Sequence, residues 1–209
     1  VIHLQRGPAP EFWTREQVKA WTQSWLDKDC ESARWRWPQH QSKALNQHAC
    51  AAMELWHHNK CAFCEAPLWG GHQIEHFRSK TQYPLAAFVW RNLFLICPSC
   101  NLAKGSQNHE GCLKPDREDP MDYLWVNPIS LKVEPKPGIS EKRRWHARKT
   151  IERYGLDRPE LAKAYREYLR IISWNAPEAL ADLLQELAQP EQPFSLMAKH
   201  LLEYHTAIT

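Results

Sequence analysis

Val18, Trp21 and Trp25 recur at the three- and four-residue steps of one helical face, behind a Thr14 whose hydroxyl suits an N-cap. The spacing predicts a helix from there to about Asp29. A breaker segment, "ESARWRWPQH", interrupts the pattern with Pro38. Leu45, Ala49, Ala52, Met53 and Trp56 then share a face and predict a second helix closed by Asn59. The first twelve residues hold three Pro or Gly and read as an irregular arm.

From residue 60 the apolar runs shorten. "GHQIEHF", after a Gly70-Gly71 turn, and "NLFLIC" read as short strands, with "YPLAAFVW" between them as a helical turn or loop. In "CPSCNLAKG", Pro98 suits a first helical turn and Gly105 an end, so a helix of about two turns is expected. Five Pro in "KPDREDPMDYLWVNPISLKVEPKPG" predict an irregular wrap over 108–139. Beyond it, Ser140 caps a helix to Tyr154 stopped by Gly155, and Asp157 with Pro159 opens another to about Trp174. Pro177 and Pro193 open two shorter ones. The fold class is therefore mainly α with a small α+β core. Three regions follow: an N-terminal helical region 1–59, a compact module 60–107, and a Pro-rich wrap with a C-terminal helical region 108–209.

With 43% apolar residues, 209 residues can bury a core without disulfide staples. No run of 18 apolar residues occurs, and the start "VIHLQRGPAPEFW" lacks a basic stretch followed by an apolar one, so a soluble, cytoplasmic protein with no membrane contact is expected. The net charge of +3 leaves the partner open. "EKRRWHARKTIER" concentrates six cations and His146, either as a solvated helix face or as a phosphate-facing patch. The eleven Trp read mainly as core or interface, and the pair in "RWRWP" as packing under the second helix in preference to base stacking.

Seven Cys is an odd number, and four of them form the C-x-x-C pairs Cys61/Cys64 and Cys97/Cys100. Either pair alone could be a redox site. Together they offer four thiolates, which suit tetrahedral Zn²⁺ and leave no open position for substrate, so the zinc is structural. Cys30, Cys50 and Cys112 read as reduced thiols, "NHEGC" with His109 and Cys112 as loop, and His57-His58 as a helix end.

The chemistry falls between and just after the two pairs. Glu75 and His76 end the first strand, Asn92 opens the second, and Asn101 and Lys104 sit three apart on the helix after Cys100. A carboxylate, an imidazole, a carboxamide and an ammonium are the parts that phosphodiester hydrolysis needs: hard oxygen ligands for Mg²⁺, a base for water, and positive charge for phosphate. Adjacent strand residues point to opposite faces, so Glu75 and His76 serve one phosphate only where the strand ends or bends.

"IEHF", "NLFLICPSCN" and "KG" resemble an HNH endonuclease of the zinc-pinned, treble-clef-like ββα-metal type, over residues 60–106. The spacing, "EHFRSKTQYP", "WRNLFLIC" and the N-terminal "RGPAPEFW" also resemble the HNH subunits of Septu and retron-associated anti-phage defence systems. The resemblance implies that His76 is the general base, that Glu75 and Asn101 hold a catalytic Mg²⁺ or other divalent cation, and that Asn92 fixes the hairpin. It further implies phosphate contacts from Arg78, Lys80 and Lys104, and Ser79 departs from the usual Pro at a turn. The implied function is a DNA-cleaving defence effector, partnered by an SMC-like ATPase and in some systems by a retron RNA–DNA hybrid. An RNA- or tRNA-cleaving effector of the same fold, or a zinc-stabilised binding module without catalysis, are the alternatives.

Overall fold

A computed structural model describes residues 3–69, 71–105, 110–173 and 180–208 of the chain. Among them α1 runs Arg15–Leu26, with the Thr14 hydroxyl accepting from the Gln17 N–H as its cap. The short strands β1 (Gln39–His40) and β2 (Lys43–Ala44) pair antiparallel ahead of α2 (Leu45–His57). Next come β3 (Gln73–His76), β4 (Leu93–Ile96) and α3 (Pro98–Lys104). The strands β5 (Leu124–Val126) and β6 (Val133–Pro135) form a third hairpin. The chain continues through α4 (Glu141–Tyr154), α5 (Pro159–Ser173), α6 (Leu180–Leu187) and α7 (Ser195–Ile208). About half of the chain is helical, and the three sheets among the described residues are small, antiparallel and two-stranded.

Most sequence signals fall where the pattern puts them. Ser140 caps α4 through the Arg143 N–H, and Gly155 ends it at φ 57°, a left-handed conformation that costs glycine nothing. The second helix closes one residue early, with His58 left-handed at its C-cap and Asn59 left-handed behind it. The breaker segment does interrupt the helices, and past its Pro38 the β1–β2 hairpin turns at left-handed Gln41 and Ser42. Two expectations need correction. The wrap over 108–139 is not wholly irregular, because "LWV" and "VEP" pair as β5 and β6 around a turn in which Leu131 is left-handed. The final helix is no short one, since α7 runs 14 residues. The starts placed at Gly70 and at Pro177, and the loop residue His109, lie outside the described residues.

The core draws on every stretch of the chain. Leu45, Met53, Phe63, Phe94, Leu124, Tyr154 and Met197 belong to one buried cluster. Phe63 and Tyr154 stack with ring centroids 3.4 Å apart, joining the turn that carries Cys64 to α4. Arg6 enters from the N-terminal arm, donates to the Trp90 and Leu93 carbonyls at 2.9 and 3.1 Å, and lies over the Trp56 and Phe94 rings. Its charge is met by Asp116 at 2.6 Å, the pairing a buried guanidinium needs. Among the described residues no helix is long and apolar enough to cross a membrane.

Two buried histidines work as neutral hydrogen-bonding parts. His57 Nε2 accepts from the Leu95 N–H at 3.3 Å, and its Nδ1 lies 3.3 Å from the Lys60 carbonyl. His200 Nδ1 accepts from the Val126 N–H at 3.2 Å, tying α7 to β5. Burial lowers His57 to about 3 and His200 to about 4. Both fall below the unfolded value, so the unfolded chain binds the extra protons. Stability from these groups is present above pH ~6.5 and is lost as pH falls toward ~4 and below. Denaturant unfolding at pH 7, 6, 5 and 4 is expected to show this loss. His200→Asn keeps an acceptor at the δ position without the titrating nitrogen, and is expected to flatten the profile. An unchanged slope would contradict the assignment.

Candidate functional site

The site is built from the outside of the clamp inward. Cys61 and Cys64 lie on a turn closed by Cys61 N–H to the Ala66 carbonyl at 3.0 Å and Glu65 N–H to the Cys61 carbonyl at 3.1 Å. Ala62 N–H reaches the Leu95 carbonyl at 2.9 Å, which fixes this turn on β4. Cys97 is the N-cap of α3, and its sulfur accepts from the Cys100 N–H at 3.4 Å. The four sulfurs lie within 4.8 Å of one another and all four residues are buried. A Zn–S bond of ~2.3 Å in a tetrahedron implies sulfur separations of ~3.8 Å. Cys64 and Cys97 stand at 3.6 Å, so the donor set and its size fit zinc. Arg158 sits beside the cluster, 3.5 Å from the Cys100 sulfur, as a cation against the surplus negative charge of four thiolates.

Behind this cluster two neighbouring side chains anchor the C-terminal part of the chain. Glu65 accepts from the Ser195 hydroxyl at 2.8 Å and the Leu196 N–H at 3.1 Å, a carboxylate on the N-terminus of α7. Lys60 donates to the carbonyls of Pro190 and Gln192. Neither role is legible in the sequence, where both partners lie more than a hundred residues away.

β3 pairs with β4 so that Glu75 faces Phe94 and His76 faces Leu93 across the ladder. The strand ends at His76, and its last two side chains part company. The Glu75 carboxylate turns to Lys104 on α3, and the two form a buried ion pair. Burial raises Glu75 to about 7 against the pull of that ammonium. His76 turns instead toward Trp37, stacked at 5.5 Å, and Trp35, edge-on at 5.2 Å. Burial, then Lys80 and Lys104, lower His76 to about 3, while the Ala87 carbonyl pulls the other way. The ring is therefore neutral, and its Nε2 is buried with no partner among the described residues.

The other candidates take distinct places. Asn92 accepts from the Arg78 N–H at 2.7 Å and donates to the Arg78 and Ala86 carbonyls at 3.0 and 2.9 Å, so it pins the chain just past β3. Asn101 hydrogen-bonds Gln73 at the far end of β3. Lys104 also donates to the His76 carbonyl at 3.1 Å and is buried, unlike Arg78, which is exposed. Lys80 is half-buried and lies over the Trp35 ring at 5.1 Å. Glu75 and Lys104 thus meet between β3 and α3, His76 turns away from them to the two tryptophans, Asn101 stands at the opposite end of β3, and Arg78 and Lys80 stand on the segment beyond the strand. The pair Trp35 and Trp37 packs on His76 and Phe88.

Of the remaining thiols, Cys50 borders the cleft that Asn101 and Trp37 line. Burial raises both Cys50 and Cys112 to about 11, so they stay protonated at neutral pH. Apart from the four cysteines, no group of three or more His, Cys, Asp or Glu ligands gathers among the described residues.

No family model matches the chain. The chain is similar to the Septu protein PtuB of Bacillus thuringiensis, with 29% identity over 137 residues, 63% of this chain. It spans about half, 49%, of the length of that protein.

Proposed function

We propose that the chain is a component of a Septu-type anti-phage defence system in which residues 60–107 act as an HNH-type nuclease dependent on Mg²⁺. The likeness to the Septu protein supports the biological setting. The observation that carries the chemistry is His76 at the end of a strand whose neighbouring Glu75 meets Lys104 of the helix, on a hairpin and helix that four buried cysteines draw together.

In this reading the zinc does no chemistry and holds β4 and α3 against the Cys61–Cys64 turn. His76 is neutral with Nε2 free, the form that takes a proton from water. The water oxygen bonds to phosphorus in line, the opposite P–O bond breaks, and the leaving oxygen gains a proton from solvent. The Glu75 carboxylate and the Asn101 carboxamide oxygen are the hard donors that would hold Mg²⁺, which when bound neutralises charge on the phosphate. Asn92 keeps the backbone past His76 in place, and Arg78 and Lys80 contribute positive charge for the phosphate chain.

Trp35 and Trp37 cover His76, which is only 7% exposed. Substrate reaches the imidazole once this stretch gives way. A closed resting state suits an effector that would otherwise cut its own host's nucleic acid. The opening signal then comes from a partner, for which the resemblance supplies an SMC-like ATPase and, in retron systems, an RNA–DNA hybrid.

The test is a cleavage assay on the full chain, alone and with a candidate SMC-like ATPase partner, on plasmid DNA and on tRNA, with and without Mg²⁺. DNA cleavage that needs Mg²⁺ is expected. Cleavage of tRNA alone would move the substrate to RNA. Intact nucleic acid in every partnered arm would contradict the nuclease and leave a zinc-stabilised binding module.

A further inference from the structure

Next to the candidate site, the polar face of α2 and the start of β3 border an open cleft of about 570 Å³. Its walls carry four carboxamides, Asn46, Gln47, Gln73 and Asn101, together with Trp37. His72 and Glu54 face each other across it at 3.6 Å, and no Lys or Arg lines it. Such a lining is poor for phosphate and suited to a flat, neutral, hydrogen-bonding group. A carboxamide presents donor and acceptor side by side, the complement of a nucleobase edge. An indole offers the face on which an unpaired base stacks. Asn46 Oδ1 is buried in the cleft wall without a partner among the described residues, an acceptor that meets a ring N–H or exocyclic amine of a base once the carboxamide turns into the cleft.

The cleft also lies in the right place. Trp37 lines it and at the same time stacks on His76 at 5.5 Å, so this one ring separates the cleft from the candidate base. Asn101, a candidate metal ligand, lines the same cleft and bonds Gln73 across it.

We propose that this cleft is a subsite for an unpaired nucleobase of the substrate strand, with Asn46 and Gln47 reading its edge beside the nucleotide that is cut. The proposal rests on the nuclease reading for its place in a reaction, but its test does not depend on cleavage. Fluorescently labelled decadeoxynucleotides of dA, dC and dT, and an abasic decamer of equal length and charge, are titrated into the full chain and into the variants Asn46→Ala and Gln47→Ala. Zinc content is checked on each protein to show that it is folded. The wild type is expected to bind at least one base-bearing strand roughly tenfold more tightly than the abasic strand. Asn46→Ala is expected to remove most of that preference while leaving affinity for the abasic strand unchanged, and Gln47→Ala, at an exposed position of the same helix, to reduce it. Equal binding of all four strands, absence of binding, or a preference untouched by both variants would overturn the subsite. A protein that discriminates bases yet never cuts defeats the nuclease reading alone, and one that cuts while binding all strands alike defeats only the subsite.

Discussion

Cys97→Ser is expected to carry almost no zinc where the wild type carries one per chain, and to lose at least about 4 kcal/mol of stability. The magnitude follows from what Cys97 joins. It ends the segment after β4, caps α3, and lies 3.6 Å from the Cys64 sulfur on the facing turn. A serine oxygen is a poorer ligand for zinc than a thiolate, and three remaining thiolates packed without a metal repel one another. The strands β3 and β4 have four residues each, too few to hold together without the surrounding clamp. Metal analysis and denaturant titration check the result, with Cys112→Ser as a control that keeps both zinc and stability. A Cys97→Ser protein that retains its zinc, or unfolds at the wild-type midpoint, would contradict the clamp.

His76→Ala is expected to lower the cleavage rate by about 10²–10⁴, the usual contribution of a general base. Stability should fall too, since a buried ring packed by Trp35 and Trp37 is lost, so zinc content is checked to show that the variant is folded. The variant also leaves a ring-sized space beneath Trp37. Added imidazole is expected to restore part of the rate by occupying that space and taking the proton from water. Initial rates with and without imidazole check this. Rescue by imidazole would not occur if His76 only supported the fold.

The parts of this site that depend on local pattern were readable in the sequence. The C-x-x-C pairs announced a metal cluster because the ligand type and count are written in the residues themselves, and the four sulfurs do meet. Ser140, Pro98 and Gly105 marked helix ends because a cap acts within a few residues. What escaped was set by partners distant in the chain. Glu65 is an ordinary charged residue until Ser195 and Leu196 reach it, and Arg6 looks like part of a loose arm until Asp116, Trp56 and Phe94 enclose it. The hairpin of β5 and β6 was hidden by Pro128 and Pro135, which suggested breaks where a turn and a strand end tolerate them. Lys104 was read as a phosphate contact from its charge and spacing. Its burial against Glu75 and the His76 carbonyl emerges only when α3 lies across β3. Nor could the sequence say that Trp35 and Trp37 cover His76, since nothing local links residues some forty positions apart.

The division of labour between a zinc clamp and a catalytic strand end is tested most directly by measuring two quantities on one sample. Wild-type and His76→Ala proteins, each with the proposed ATPase partner and Mg²⁺, are assayed for zinc per chain and for the rate of DNA cleavage. The account predicts equal zinc in the two proteins and cleavage in the wild type alone. Cleavage by His76→Ala at the wild-type rate, with its zinc in place, would contradict it.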